Sequence, residues 1–170
     1  RGALPLLTRT TVVRDPRGVV GIIAPWNYPL TLTLSDALPA LVAGNTVVVK
    51  PDAQTPLSAL LGEQIIQAAG IPPNVFQVLP GTGAVVGAVI TESADYVMFT
   101  GSTATGQQLA ERTGRRLVGF SGELGGKNPM IVAQDANIRD AVTGAITGCF
   151  SNSGQLCVSI ERILVDKAIA

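Results

Sequence analysis

A cysteine near the C-terminal end of the sequence has the surroundings of a nucleophile. Cys157 lies in the polar, glycine-containing stretch 151–159, whereas Cys149 lies in the apolar run 145–150 and is interpreted as a buried structural cysteine. The chain contains no histidine, so the commonest base for activating a thiol is absent. Cys157 then depends on a helix terminus, a local hydrogen-bond donor or a carboxylate base, and Glu123 is the candidate base.

Two further polar residues, Glu123 and Asn27, can each be interpreted as functional or as purely structural. Glu123 lies between glycines, where a carboxylate could take protons; the alternative is a surface loop with a pair between Glu123 and Lys127. Asn27 lies between two prolines, where its amide could be a fixed hydrogen-bond donor. The alternative is an ordinary turn in which Trp26 caps the core.

Other candidate residues could hold a phosphate or a sugar. The stretches 80–83 and 101–106 both read as strand–glycine–helix turns, and a helix N-terminus offers free N–H groups and a positive dipole end. Neither turn matches the dinucleotide fingerprint G-x-G-x-x-G or the phosphate-binding P-loop, so each alone is weak. Lys50 follows a predicted strand and could meet a sugar hydroxyl or a phosphate; the alternative is a solvated lysine.

These residues follow strands in a sequence where apolar, β-branched runs alternate with amphipathic patterns. Such alternation indicates an α/β fold: an open, mostly parallel, twisted sheet with helices on both faces. Ligands bind at the carboxyl ends of the strands in such sheets. The predicted strands are Gly18–Ala24, Asn45–Lys50, Val75–Leu79, Asp95–Thr100, Arg116–Phe120, Pro129–Ala133 and Arg162–Asp166, and the predicted helices are Pro29–Ala43, Pro56–Ala69, Gly83–Ile90, Thr103–Arg112 and Ile138–Phe150.

The composition excludes several classes of protein. The apolar fraction of 46% argues against disorder, and the balance of 12 basic and 12 acidic residues, with few aromatics, argues against nucleic-acid binding. No apolar run approaches the roughly 20 residues that a membrane span needs. Two cysteines are too few for a disulfide framework and fit the reducing cytoplasm. Their spacing, without histidine, does not predict a metal site.

Five motifs in order resemble the aldehyde dehydrogenase superfamily, over nearly the whole chain. Within that superfamily the stretches GGKNPMIVA and FSNSGQLCVSIERI are most similar to succinate-semialdehyde dehydrogenases. The five motifs are Pro25-Trp26-Asn27, Lys50-Pro51, Phe99-Thr100-Gly101-Ser102, Glu123-Leu124-Gly125-Gly126-Lys127 and Gly154-Gln155-Leu156-Cys157.

The resemblance implies a catalytic role for three residues. Cys157 matches the nucleophile, which forms a thiohemiacetal and then a thioester with the aldehyde carbon. Asn27, with the backbone N–H of Cys157, matches the oxyanion hole. Glu123 matches the general base that activates water to hydrolyse the thioester.

The resemblance also implies a Rossmann-like cofactor domain over residues 17–124, after a lead-in segment 1–16, and the start of a second α/β catalytic domain over 125–170. NAD-preferring relatives often carry a glutamate three residues after the lysine; this chain has Ala53, which leaves room for a 2′-phosphate, so we expect NADP to be accepted and preferred, with NAD possible. The implied cofactor-binding residues are Trp26, Lys50, Ala53, Gly81, Phe99, Gly101, Ser102 and Leu124.

The sequence predicts an internal piece of a longer enzyme, because it begins with Arg1 and family motifs expected beyond Ala170 are missing. We expect this piece alone to have no dehydrogenase turnover and the parent protein to be a homo-oligomer that acts on a small aldehyde. Two alternatives stay open. One is a relative that passes the thioester to coenzyme A or reduces an acyl phosphate; the other is a non-catalytic nucleotide-binding module.

Overall fold

A computed structural model describes residues 11–170, so most of the predicted lead-in segment 1–16 lies outside the described residues. Within the described part, no helix is both long enough and apolar enough to cross a bilayer. The strands are β1 (Val19–Ile23), β2 (Thr46–Lys50), β3 (Phe76–Val78), β4 (Tyr96–Thr100), β5 (Gly119–Glu123), β6 (Asn128–Val132) and β7 (Ile160–Val165). The helices are α1 (Pro29–Val42), α2 (Pro56–Ala68), α3 (Ala88–Ser93), α4 (Thr103–Arg115) and α5 (Ile138–Phe150), with a π-helical turn at Gly83–Gly87 before α3.

The first five strands form one parallel sheet in the order β3-β2-β1-β4-β5. Apolar β-branched residues fill both of its faces, as a sheet covered on both sides requires. Helices α1 and α2 pack on one face over a cluster that includes Ile22, Val47 and Phe76. Helices α3 and α4 cover the other face over a cluster that includes Val97 and Phe99. The predicted α/β architecture is therefore confirmed.

The remaining strands, β6 and β7, pair in parallel as a separate two-stranded sheet, and α5 packs against β7. One face of α5 carries an apolar stripe that is more than half exposed, at Ile138, Val142, Ile146 and Phe150. The division into a domain ending at residue 124 and another beginning at residue 125 stays a prediction.

Helix boundaries follow local chemistry. Pro29 and Pro56 stand at the first positions of α1 and α2, where the missing N–H has no intrahelical partner to lose. Gly44 and Gly70 follow those helices with φ of 88° and 92°, the left-handed conformation that ends many helices.

The prediction of a strand over Arg116–Phe120 was wrong in its position. Helix α4 continues to Arg115, and Leu117 adopts a φ of 57° at the turn that follows. Strand β5 therefore starts only at Gly119 and ends at Glu123. Glu123 is thus the last residue of a strand and not part of the loop after it.

Strand β1 and helix α3 approach each other closely at Gly21. A Cβ atom at this position would lie 2.3 Å from Ile90 Cγ2 and 3.0 Å from Ala94 Cβ. Both of those residues are buried in the core, so they have little room to move. The absence of a side chain at Gly21 therefore sets the distance between α3 and the sheet.

We expect Gly21→Ala to lower the free energy of unfolding by about 1–3 kcal/mol, because overpacking forces α3 away from β1. The matched control is Gly114→Ala in α4, where no atom lies within 4 Å of the added Cβ and helix propensity favours alanine. Urea unfolding followed by circular dichroism measures both changes. A Gly21→Ala protein as stable as the Gly114→Ala protein would contradict the close approach.

Candidate active site

Strand β1 has β2, the next strand in the sequence, on one side and β4, a later strand, on the other. The strand order therefore reverses between β1 and β4. The turns that leave these two strands diverge and open a crevice at the carboxyl edge of the sheet. Two adjoining cavities lie there, and they share Pro25, Trp26, Thr100, Gly101 and Ser102.

The first cavity, which we call the thiol cleft, has a volume of about 280 Å³. It brings together all three predicted catalytic residues, Asn27, Glu123 and Cys157. The predicted cofactor residue Leu124 also lines it, beside Glu123. Residues far apart in the sequence therefore meet in one concave site.

The second cavity, which we call the strand-end groove, has a volume of about 340 Å³. Its lining includes the predicted cofactor residues Trp26, Lys50, Ala53, Phe99, Gly101 and Ser102. Asp52 also lines it, as do Gly83 and Thr105 from the two predicted strand–glycine–helix turns. Gly81 lines neither cavity, and Gly83 contributes to the groove instead. The role of Gly81 beside the cofactor stays a prediction.

Asn27 ties the β1–α1 turn to the loop that carries Cys157. Its Nδ2 donates to the carbonyl oxygen of Gln155 at 2.7 Å, and Asn152 Nδ2 donates to the carbonyl oxygen of Asn27 at 3.1 Å. An asparagine amide has two N–H donors, so one remains after the bond to Gln155. The Oδ1 atom of Asn27 is buried and has no hydrogen-bond partner among the described residues.

The segment before Cys157 makes an unusual left-handed turn. Asn152, Ser153 and Gly154 have φ values of 49°, 58° and 75°. Each non-glycine residue in this conformation costs about 1–2 kcal/mol, so the turn needs outside support. The reciprocal bonds with Asn27 supply part of it. Helix α5 ends where this turn begins, and Cys157, which follows the turn, is exposed at the cleft.

The other cysteine, Cys149, lies on α5 and is half-buried. The prediction that it is fully buried was wrong. No residue of α5 is fully buried, because one sheet alone covers the helix. Cys149 does not line the thiol cleft, which leaves Cys157 as the thiol of the site.

Glu123 interacts with a second carboxyl group, that of Asp36 on α1. Side chains alternate along a strand, so Glu123 lies on the same face of the sheet as Ser121, the face that α1 covers. Asp36 lines a cavity of about 650 Å³ that also includes Ser121, Arg14 and Arg17. Burial raises the pKa of Asp36 above its usual value, and the negative charge of Glu123 raises this pKa further.

Lys50 is only 5% exposed, so the alternative of a solvated lysine is wrong. Its Nζ donates to the carbonyl oxygen of Pro51 at 2.6 Å. Burial lowers the pKa of Lys50, and the carboxylate of Asp52 opposes that shift. A buried cation at the groove can bind an anionic or hydroxyl group that replaces its lost hydration.

Helix α4 begins at the cavities with Ser102 as its N-cap. Ser102 Oγ accepts from the Thr105 N–H at 3.3 Å and donates to Thr105 Oγ1 at 2.9 Å. Next to it, Thr100 Oγ1 is buried without a hydrogen-bond partner among residues 11–170.

Trp26 is 41% exposed and lines both cavities, so it does not cap the core. The part of the chain that the structure describes contains no cluster of three metal-ligating side chains.

Comparison with known proteins identifies the family of this arrangement. Residues 4–170 match the profile described as "Aldehyde dehydrogenase family". Over 167 residues the chain is 60% identical to the Mycobacterium tuberculosis (strain H37Rv) protein named "Putative succinate-semialdehyde dehydrogenase (NADP+) 2". That alignment covers 98% of this chain and 32% of the relative, so the chain spans about a third of the relative's length.

Solved structures share the fold at similar coverage. The "E. coli NADP dependent enzyme" superposes with a TM-score of 0.90 at 41% identity, over 91% of this chain and 33% of that protein. PnpE from Pseudomonas sp. WBC-3, in complex with nicotinamide adenine dinucleotide, superposes with a TM-score of 0.89 at 44% identity, over 92% of this chain and 33% of that one.

The environment of Asp36 predicts how stability depends on pH. Because the folded protein binds the Asp36 proton more tightly than the unfolded chain does, the contribution of Asp36 to stability is greatest below its usual pKa of 3.8 and is lost as pH rises through the folded pKa. Asp36→Asn removes this loss, so we expect it to raise the melting temperature at pH 7 and to raise it less at pH 4. The control is Asp135→Asn at an exposed position. Equal gains at the two pH values would contradict the prediction.

Proposed function

The chain belongs to the aldehyde dehydrogenase family, and we propose that the protein containing it oxidises an aldehyde to a carboxylic acid with a nicotinamide cofactor. The observation that carries this proposal is the meeting of Asn27, Glu123 and Cys157 in the thiol cleft, which adjoins the groove lined by Lys50. A nucleophile, a base and an amide donor in one cleft are the parts that acyl chemistry at an aldehyde carbon requires.

The residues of the groove fit a dinucleotide. The N-terminus of α4 faces the shared edge of the two cavities, where its free N–H groups suit a pyrophosphate. Gly101 offers bare backbone there, since a Cβ would lie 2.5 Å from the Phe99 ring. The unpartnered Oγ1 of Thr100 can bond a ligand in the cleft. Lys50 lines the groove, which supports a contact between its ammonium group and a ribose hydroxyl or phosphate.

The chemistry of the cleft follows from the protein's own groups. The thiolate of Cys157 attacks the aldehyde carbon, and the free N–H of Asn27 together with the backbone N–H of Cys157 stabilises the negative charge that develops on oxygen. A bound nicotinamide supplies the hydride acceptor that allows a thioester to form. Glu123 then removes a proton from water, and the resulting nucleophile releases the acid from Cys157.

The two alternatives are less well supported. A carboxylate that lines the same cleft as the thiol favours water as the acceptor of the acyl group over coenzyme A or phosphate. A non-catalytic binding module has no use for an exposed thiol in the cleft beside its groove.

Further features of the proposal rest on the relatives. The 60% identity to a protein named for succinate semialdehyde and NADP supports that aldehyde as a substrate and NADP as the preferred cofactor, with NAD as a second. We also propose that the parent protein is a homo-oligomer. A cytoplasmic location agrees with two free cysteines.

The activity can be tested on the full-length protein with a panel of aldehydes that includes succinate semialdehyde, with NAD or NADP, followed by absorbance of the reduced cofactor. We expect turnover without coenzyme A. Cys157→Ala should lower kcat by at least about 1,000-fold, because it removes the nucleophile, and leave cofactor binding intact. Cys149→Ala is the matched control and should stay active. Turnover that survives Cys157→Ala, or that requires coenzyme A, would overturn the proposal.

Cofactor preference can be tested at Ala53. A glutamate there places a negative charge in the groove near Lys50, where it would repel a 2′-phosphate and accept ribose hydroxyls. We expect Ala53→Glu to shift the ratio of kcat/KM for NADP to that for NAD by about tenfold or more toward NAD, or about 1.4 kcal/mol. Gln54→Glu is the control, since it adds the same charge to the same loop outside the groove. A wild-type protein that prefers NAD by tenfold would contradict the premise.

A further inference from the structure

A second asparagine, Asn128, also bonds to the loop of the nucleophile, at carbonyl groups that Asn27 does not contact. Asn128 Nδ2 donates to the carbonyl oxygen of Cys157 at 2.7 Å and to the carbonyl oxygen of Ser159 at 3.0 Å. Both N–H donors of one amide are therefore used on two carbonyls that flank Val158. Asn128 does not line the thiol cleft, so it acts on the site only through these bonds.

The pairing of β6 with β7 is irregular directly beside Asn128. Asn128 pairs with Ile160, but Pro129 pairs with Arg162, so the register shifts by one residue between them. An irregularity of this kind bends a strand and redirects its side chains. The extra residue, Glu161, belongs to β7, so the bend lies on that strand. It stands opposite Asn128, which begins β6 and bonds to the segment that leads into β7.

The bonds from Asn128 complete a turn that presents the thiol. The N–H of Ser159 donates to the carbonyl oxygen of Leu156 at 3.1 Å, which closes a turn with Cys157 at its second position. Ser159 is buried, and its Oγ donates to the carbonyl oxygen of Gly154 at 3.1 Å. The turn's own bond uses the Leu156 carbonyl and not the Cys157 carbonyl, which has Asn128 as its donor.

We propose that Asn128 is a positioning residue for the reaction, which fixes the direction of the Cys157 side chain by holding the carbonyl groups of Cys157 and Ser159. Holding the Cys157 carbonyl fixes the peptide plane that follows the nucleophile. The plane that precedes it contains the Leu156 carbonyl and the backbone N–H of Cys157, and the bond from the Ser159 N–H holds that plane. The two planes meet at the Cα atom of Cys157 and together set the direction of its Cα–Cβ bond. The inference rests on the proposed function in taking Cys157 as the nucleophile.

The chemistry of the bonds selects a side-chain amide at this position. Two carbonyl acceptors need two N–H donors, and an asparagine supplies both from one nitrogen on a short stem. Aspartate has the same shape but offers only acceptors when ionised, so it would repel both carbonyls. Serine offers one donor and can hold only one of the two. The variants Asn128→Ala, Asn128→Asp and Asn128→Ser therefore form a graded series.

The experiment uses the full-length protein with succinate semialdehyde and NADP as probes of turnover. We expect Asn128→Ala and Asn128→Asp to lower kcat by about 10- to 100-fold, as a small misplacement of a reacting group does, while KM for both substrates stays within threefold. Asn128→Ser should fall between these variants and the wild type. A residue that only stabilised the fold would reduce the amount of active protein and would not produce this graded series in the kcat of folded enzyme.

The reactivity of the thiol gives a second measurement that needs no turnover. We expect the rate at which iodoacetamide alkylates Cys157, resolved from Cys149 by mass spectrometry, to change by more than twofold in Asn128→Ala. The matched control is Asn137→Ala. The Asn137 side chain also bonds to two backbone groups, but as an acceptor: its Oδ1 accepts from the N–H groups of Arg139 and Asp140. Asn137 caps α5 and makes no hydrogen bond to the Cys157 loop. The control should keep the wild-type kcat and alkylation rate per folded molecule.

Wild-type values, within twofold, of both kcat and alkylation rate in folded Asn128→Ala and Asn128→Ser proteins would overturn the inference. The same changes in Asn137→Ala would also overturn it, since they would show a general effect of lost stability. A protein that oxidises no aldehyde with either cofactor refutes the proposed function instead. In that event the alkylation rates alone decide whether Asn128 positions the thiol.

Discussion

The whole site depends on one constraint, that parallel strands deliver their carboxyl ends to a single edge of the sheet. Strands β1, β4 and β5 lie side by side, so Asn27, Ser102 and Glu123 reach that edge without any long loop. The change of direction in strand order between β1 and β4 then separates the turns and opens the crevice between them. Burial of apolar side chains on both faces of the sheet holds this edge in place.

Much of the site could be predicted because each residue lies next to an element with a clear sequence signal. Lys50 ends the β-branched run of β2, and Ser102 precedes the helix that it caps. The bounds of strand β5 were harder to predict, because its sequence GFSGE contains two glycines and no β-branched residue. The end of α4 was also hard to predict, because the residue with positive φ that follows it is a leucine and not a glycine. The motif containing Glu123 could therefore be recognised in the sequence, whereas the bounds of the strand that positions it could not.

Other features could not be predicted, since they depend on directions that sequence spacing does not encode. Asn128 stands opposite a register shift in β7, and a strand pattern gives no sign of such a shift. The effect of Glu123 on Asp36 requires a helix to face the end of a strand that is distant in sequence. Cys149 has an apolar neighbourhood in sequence, but its burial depends on what covers α5. In each case the environment of the residue depends on which distant segment packs against it, and local propensity carries no information about that segment.

The loop of Cys157 is tied to both sheets, by Asn27 from the first and by Asn128 from the second. It therefore acts as a mechanical coupling between them. A rotation of the second sheet about the connection between Glu123 and Asn128 would pull the loop against the amide of Asn27, while Glu123 stayed with the first sheet. With net hydrogen-bond contributions of about 1 kcal/mol each, these few bonds set the stiffness of that coupling. The separation between thiol and base thus depends on how firmly these bonds join the two sheets.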